Sequence, residues 1–327
     1  MKTRVVAPVT RRGYRPVASL PGMPSPNTLD YHILDVFTDR PFAGNPLAVV
    51  LGAERLSTQQ LQQLAREFHL SETAFPMFGD AEVAAVDADY RLRIFTPEVE
   101  LPFAGHPSVG SAWLMASSGR VEPRDGAVVQ LCGAGPLRVV VDGSGATLSG
   151  GRPTRGPVLD PQPLLAAVGL GLADLADPSS WAPRTCSAGL GFAMVRVHRE
   201  ALERCEPDLV RLRRDLAHPN PATGVYVVSW DDLADGVDAR MFAGDVGVAE
   251  DAATGSAALA LGVYLATSGG LPEGGRFDVR QGVAMGRPSL LRVGVEAEHG
   301  TVGAVTVSGC VVPVAQGTIA VPPLQSA

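Results

Sequence analysis

The chain has 327 residues, of which 46% are apolar and 19% charged, and a formal net charge of −7. That is a globular balance, long enough for two cores, and it excludes a disordered chain. It also excludes a general nucleic-acid binder, which presents a basic face, and no apolar run approaches the roughly 18 residues of a membrane span.

Residues 1–29 hold Arg4, Arg11, Arg12 and Arg15 among several prolines, with no continuous apolar stretch of the signal-peptide kind. They are expected to form a poorly ordered extension and not a secretory signal. "YHILDVF" has strand character. Ser57, with Gln60 three residues on, is a capping-box signature for a helix whose Leu61, Leu64 and Phe68 recur at helical spacing. "SETAFPMF" reads as a strand. "DYRLRIF" alternates Tyr90, Leu92 and Ile94 with Arg91 and Arg93, the pattern of a half-buried strand. The turn "PFAGHP" at residues 102–107 nearly repeats "PFAGNP" at residues 41–46. Pro107 is expected to open an apolar helix running to about Ser117, closed by Gly119.

A second cycle resembles the first. "AVVQL" and "LRVVVD" read as strands, and amphipathic helices fall near "PQPLLAAVGL" and "PDLVRLRRDLA". The strands "GFAMVRV", "GVYVVSW" and "ARMF" precede a second glycine turn, "EDAATGSAALALGVYL", which again enters an apolar helix. The tail is a run of strands separated by glycine turns. The expected units are residues 30–125 and 126–327, with the last strand a candidate to return to the first unit.

Both apolar helices lack a polar stripe. Ala257, Leu259, Leu261, Val263 and Leu265 span every face of the second, and "VGSAWLMA" is similar. A helix apolar all round must be enclosed. The expected class is therefore α+β: two similar domains, each a curved sheet wrapped around a central apolar helix. The small residues Gly110, Ser111, Ala112, Gly255, Ser256 and Ala257 let the sheet approach closely.

Each such helix leaves its first N–H groups unpaired and carries partial positive charge at that end, which suits a carboxylate or phosphate. For either loop alone, turn and packing roles suffice. With His106 at one turn and Asp251 at the other, a small-anion site between the two ends is the stronger reading.

"DVFTDRPFAGNPLAVVL", "FHLSETAFP", "RIFTPEVELPFAGHPSVGSAWLM", "EDAATGSAALALGVYL" and "QGVAMGRPS" together resemble, in order, the signatures of PhzF-like isomerases. That family is the phenazine-biosynthesis branch of the diaminopimelate-epimerase fold, and the resemblance runs from about Asp30 to the C-terminus. It implies an active site between two similar domains, no metal or organic cofactor, and a homodimer. It also implies movement of a proton along an unsaturated ring acid. The acid/base glutamate of the "SET" segment matches Glu72, the histidine of the "GHP" turn matches His106, and the aspartate of the "ED-ATGSA" turn matches Asp251. Asn45, Gly105, Ser108, Thr254, Gly255 and Ser256, at the same turns, are the candidate substrate-binding residues.

The chemistry of the residues agrees. Moving a proton between two carbons needs one group that is base and then acid, and a carboxylate with a pKa near working pH serves. Glu72 stands between Leu70 and the apolar "TAFP", where desolvation raises a carboxyl pKa. His106 suits a hydrogen bond to a substrate oxygen or a proton relay, and the positive helix end is expected to keep it neutral. Asp251 suits orienting His106 or binding a substrate amino group. Its neighbour Glu250 points the opposite way in an extended segment. The plain alternatives, a surface carboxylate, a helix cap and a dipole partner, are reasonable singly and less so jointly.

Cys132, Cys186, Cys205 and Cys310 are scattered, without metal-ligand spacing. They read as buried thiols of a cytoplasmic protein with no metal site. No cysteine lies in either glycine turn, which excludes the two-thiol racemases of this fold. Relative to its own family, Ala252 replaces the usual proline, Ser108 a threonine, and "FAG" (Ala243, Gly244) the frequent "FAP". These changes lie in substrate loops and spare Glu72, His106 and Asp251. The expected function is a cofactor-independent isomerase of a small unsaturated cyclic amino acid in specialised metabolism. A hydrolase cleaving a carbon–carbon bond with the same residues and a non-catalytic binder of a small acid are the alternatives.

Overall fold

The computed structural model describes residues 27–216, 222–244 and 249–324. In its first half the strand signals become Thr28–Val36 (β1), Asn45–Leu51 (β2), Glu72–Met77 (β3), Tyr90–Phe95 (β4) and the short Glu100–Leu101 (β5). Between them lie Thr58–Phe68 (α1), Ala81–Ala85 (α2) and the apolar Gly105–Ser117 (α3). The capping box forms: Gln60 N donates to Ser57 Oγ, and Ser57 N donates to Gln60 Oε1 at 3.0 Å. Three further strands follow, Ala127–Cys132 (β6), Gly135–Val141 (β7) and Gly145–Ser149 (β8).

The second half holds Pro153–Val158 (β9), Arg184–Ala188 (β10), Gly191–Arg196 (β11), Gly224–Ser229 (β12), Val237–Phe242 (β13), Glu250–Asp251 (β14), Gly275–Gln281 (β15) and Ser289–Glu298 (β16). Its helices are Pro161–Ala166 (α4), Arg199–Glu203 (α5), Leu209–Leu216 (α6) and the apolar Gly255–Thr267 (α7). One long strand, Thr301–Ala320 (β17), closes the chain.

Strand pairing makes two curved walls. In the first, β1 pairs β2, β2 pairs β3 in parallel, β3 pairs β4, and β4 pairs β6 in parallel. Then β6, β7 and β8 form a meander, and β8 and β1 both pair β17, so the wall returns on itself around α3. The second wall runs β17, β16, β15, β13, β12, β11, β10, β9. It comes back to β17 through a bond from Gly150 N to Val305 O, and it encloses α7. Every residue of α7 from Gly255 to Ala266 is buried, as are all of α3 from Gly105 to Ala112. Burying each large aliphatic side chain there contributes roughly 1.5–3 kcal/mol.

Two boundaries shift from expectation. The first unit was expected to end at residue 125, but β6, β7 and β8 pack on α3 and supply the wall that the earlier strands leave open. The first half therefore runs to Ser149, and β17 serves both halves. At the other end, β1 already includes Thr28 and Leu29 of the expected extension; residues 1–26 lie outside the described residues.

The halves repeat one plan. Arg93 of β4 forks onto Glu100 at 2.7 and 2.7 Å and lies 5.1 Å over the Phe95 ring. Arg240 of β13 forks onto Glu250 at 2.8 and 2.8 Å and lies 4.9 Å over the Phe242 ring. In each half the short strand that follows leads directly into the enclosed helix. The repeat brings the N-termini of α3 and α7 together: a β-carbon on Gly105 would stand 3.2 Å from Ser256 N.

Candidate active site

A cavity of about 230 Å3 opens where α3 and α7 meet, lined by Glu72, His106 and Asp251. Leu101, Phe103, Leu190, Phe192 and Met241 make its apolar wall, and among the described residues no lysine or arginine lines it. Gly105, Thr254, Gly255 and Ser256 line it too, so the first turns of both helices face the same space. Those free N–H groups and the two dipoles supply the positive potential that the side chains lack.

Glu72 opens β3, level with Leu47 of β2. Its side chain is 16% exposed. Burial pushes its carboxyl well above the usual range, and the neighbouring Asp251 charge pushes the same way. His106 is the second residue of α3 and 3% exposed; its Nδ1 lies 3.4 Å from Glu72 Oε2. Neither His106 Nε2 nor Glu72 Oε2 has a hydrogen-bond partner among the described residues. Two buried polar atoms left unpaired beside a cavity are costly.

For His106 the influence that favours the neutral ring is burial and not the helix end. Burial lowers it to about 3, outweighing a contact with the Pro46 backbone that acts in the opposite sense. The helix also begins earlier than expected. Ala104 is the N-cap and Gly105 the first helical residue, so His106 lies inside the first turn and Pro107 follows it.

Asp251, on β14 opposite Met241, is raised by burial and pulled down by its hydrogen bonds. Thr254 Oγ1 donates to its Oδ2 at 2.6 Å, and Asn45 Nδ2 donates to its Oδ1 at 2.7 Å. Burial is the larger influence and the net direction is upward, while the two donors work against it and favour the ionised form. Glu250 points away and is occupied by Arg240.

Two expected substrate contacts have other duties. Asn45 is fully buried and does not line the cavity: its amide nitrogen also donates to Ala253 O at 3.0 Å and stands 3.4 Å from His106 Nδ1. It ties β2 and α3 to the Asp251 loop. Its position depends on Gly44, whose φ of +68° is left-handed and whose missing β-carbon would overlap the Val36 carbonyl. Ser108 sits a turn into α3, where its hydroxyl donates back to Ala104 O at 2.8 Å. At that position the hydroxyl is consumed within the helix.

Local patterns did not reveal several contributors. Ser71 lines the cavity and its hydroxyl lies 3.4 Å from Asp251 Oδ1. The apolar wall comes from three separate stretches of the chain, Leu101 and Phe103, Leu190 and Phe192, and Met241. None of the four cysteines lines the cavity. Among the described residues, no three His, Cys, Asp or Glu side chains group as a metal site, and no helix is long and apolar enough to cross a membrane.

Comparison with known proteins places this geometry in context. The model of the PhzC-PhzF family, described as phenazine biosynthesis-like protein, matches residues 34–317. Trans-2,3-dihydro-3-hydroxyanthranilate isomerase of Pseudomonas aeruginosa is 34% identical over 299 residues, covering 85% of this chain and 95% of that one. Antisense-enhancing sequence 1 of Schizosaccharomyces pombe is 32% identical over 284 residues, covering 84% and 93%. The crystal structure of a PhzF-family phenazine biosynthesis protein from Bacillus anthracis superposes with a TM-score of 0.77 at 24% identity, over 90% of this chain and 99% of that one, a likeness of fold.

Proposed function

Since the chain belongs to the PhzC-PhzF phenazine biosynthesis-like family, we propose that it is an isomerase that moves a proton on a small unsaturated cyclic amino acid, with Glu72 as the acid/base, in specialised metabolism. The observation that carries this reading is Glu72 itself: a desolvated carboxyl with an unpaired oxygen, lining a cavity to which no thiol, lysine or arginine contributes among the described residues. Glu72 gives its proton to one ring carbon, and the carboxylate so formed takes a proton from another carbon on the same face. One group completes the exchange, and the enzyme ends as it began.

The repeat supports a single-carboxyl exchange. Leu47 faces Glu72 across β2 and β3, and Phe192 faces Gly224 at the matching place in β11 and β12. The second half thus offers glycine, with Thr223 beside it, where the first offers an acid. The substrate carboxylate belongs at the facing helix ends, on the N–H groups around Gly105 and Ser256, and its amino group belongs beside Asp251. Neutral His106 hydrogen-bonds a substrate oxygen. The pocket volume suits a molecule of one ring.

The relative's name makes trans-2,3-dihydro-3-hydroxyanthranilate the first compound to offer. The expected product keeps the substrate's mass in water and gains carbon-bound deuterium in heavy water. Release of a smaller fragment, or an unchanged compound across a panel of unsaturated cyclic amino acids, would overturn the proposal.

A further inference from the structure

The "QGVAMGRPS" segment takes no part in the proton exchange above, yet both of its long polar side chains reach toward the site. Arg287 donates to Gly44 O at 3.0 Å and Ala43 O at 2.8 Å, bracing the turn that carries Asn45. Gln281, the last residue of β15, is fully buried beneath the Asp251 loop.

The donors and acceptors around Gln281 admit one arrangement. Thr254 N, 3.3 Å away, is a backbone N–H and can only donate, so the amide atom facing it is Oε1. Tyr226 OH donates to the same oxygen at 2.9 Å. Nε2 then faces the other way and donates to Asp251 O at 2.8 Å and Thr254 Oγ1 at 3.1 Å. Thr254 Oγ1 thus accepts from Gln281 on one side and donates its single hydrogen to Asp251 Oδ2 at 2.6 Å on the other. With Asn45 on Oδ1, both oxygens of Asp251 take donors, while Glu72 Oε2 takes none.

We propose that Gln281 is a positioning residue of this site: by fixing the Thr254 hydroxyl as a donor to Asp251 it holds Asp251 as the anion, and so leaves the exchangeable proton on Glu72. This rests on the reading of Glu72 as the acid/base. The first half contains an internal control. Tyr90 OH donates to Gln130 Oε1 at 2.8 Å, the same pair of side chains, but Gln130 Nε2 has no partner among the described residues. Leu101 there occupies the strand position that Asp251 occupies here. Only in the second half does the amide have an acid loop to organise.

The test is a carbon-13 NMR titration of the side-chain carboxyls in the full chain, with Glu72 assigned through Glu72→Gln. Glu72 faces His106 and Asp251, and Asp251 faces Glu72 and Tyr226, so these four groups bound the titration. Without the fixed donor, Asp251 takes up a proton more readily and presses less on Glu72. Gln281→Leu and Thr254→Val are expected to lower the Glu72 midpoint by about one pH unit, while Thr254→Ser restores it. A midpoint unmoved in folded Gln281→Leu and Thr254→Val overturns the role of Gln281 and leaves that of Glu72 intact. Thr254→Val alone decides if Gln281→Leu does not fold. A wild-type Glu72 that titrates in the ordinary carboxylate range overturns both readings.

Discussion

Gly105 and Ser256 meet backbone to backbone, each in the first turn of the helix at the centre of its half. A β-carbon on Gly105 would stand 3.2 Å from Ser256 N and 3.4 Å from Gly255 Cα. Those atoms are main chain, so a helix and not a side chain must yield. Gly105→Ala is expected to part the two N-termini by a few tenths of an ångström. At a site that works by position, that lowers kcat/KM by about tenfold, while stability changes by no more than about 1 kcal/mol. Steady-state kinetics beside a urea unfolding curve checks this, and an unchanged kcat/KM contradicts it.

Glu72→Gln keeps shape and removes the titrating group. Turnover should fall by about a hundredfold or more. Stability should move the other way, and increasingly so with pH. The folded carboxyl is raised above its unfolded value of about 4.3. Its contribution is fully present below that value and is lost as pH rises through the folded pKa. The amide variant escapes that loss, so its advantage in Tm over wild type should widen from about pH 5 to pH 9. A constant difference across that range would show an ordinary pKa.

His106 is expected to remain neutral throughout the neutral range, since burial lowers it to about 3. Ring nitrogen resonances followed by NMR should keep the values of a neutral imidazole between about pH 5 and 9. A depressed histidine contributes stability that is complete above its unfolded pKa of about 6.5 and is lost as pH falls toward the folded value. His106→Asn should blunt that acid sensitivity. It should also retain part of the activity, since an amide donates and accepts, whereas His106→Leu should lose far more. A ring that titrates above pH 7 falsifies this account.

The thiols supply a negative control. Burial raises Cys132 and pushes Cys186 and Cys205 up to about 12, so few thiolates exist near neutrality. Cys310 is partly exposed, at a separate cavity beside Phe37. Native alkylation should modify Cys310 first and leave turnover unchanged. Loss of turnover in proportion to labelling, with the fold intact by circular dichroism, would point to a thiol in the reaction.

The parts of this fold that sequence made legible are those written in short windows. A glycine turn running into an all-apolar helix announces an enclosed helix, and it does so twice, at Gly105 and Gly255. The Ser57 cap and the alternation of Tyr90, Leu92 and Ile94 are equally local. Asp251, His106 and Glu72 could be matched from motifs, and the structure brings them to one cavity. What stayed hidden depends on pairing at long range. Asn45 meets Asp251 across 206 positions, and Tyr226 meets Gln281 across 55. No period records such contacts. Ser108 illustrates the converse: its place in a motif suggested a ligand contact, but a hydroxyl within a helix can return to the carbonyl four residues back. The place of β6 to β8 was missed for a similar reason, since a strand's own residues do not say which helix it will cover.

The shared strand β17 sets the order in which the molecule can come into being. It pairs with β1, whose first residue is Thr28, and with β8 and β16, so the two walls have their last gap in the same place. During synthesis nearly the whole chain must be extruded before either wall can shut. Until then α3 and α7, which have no polar face, lie in incomplete enclosures with apolar surface open to water. Contacts of such high sequence separation form slowly, and the open interval is when a nascent chain is most exposed to aggregation. The cavity between the helix ends inherits the same schedule: its two rims belong to different halves, so it is assembled only when β17 has been laid down.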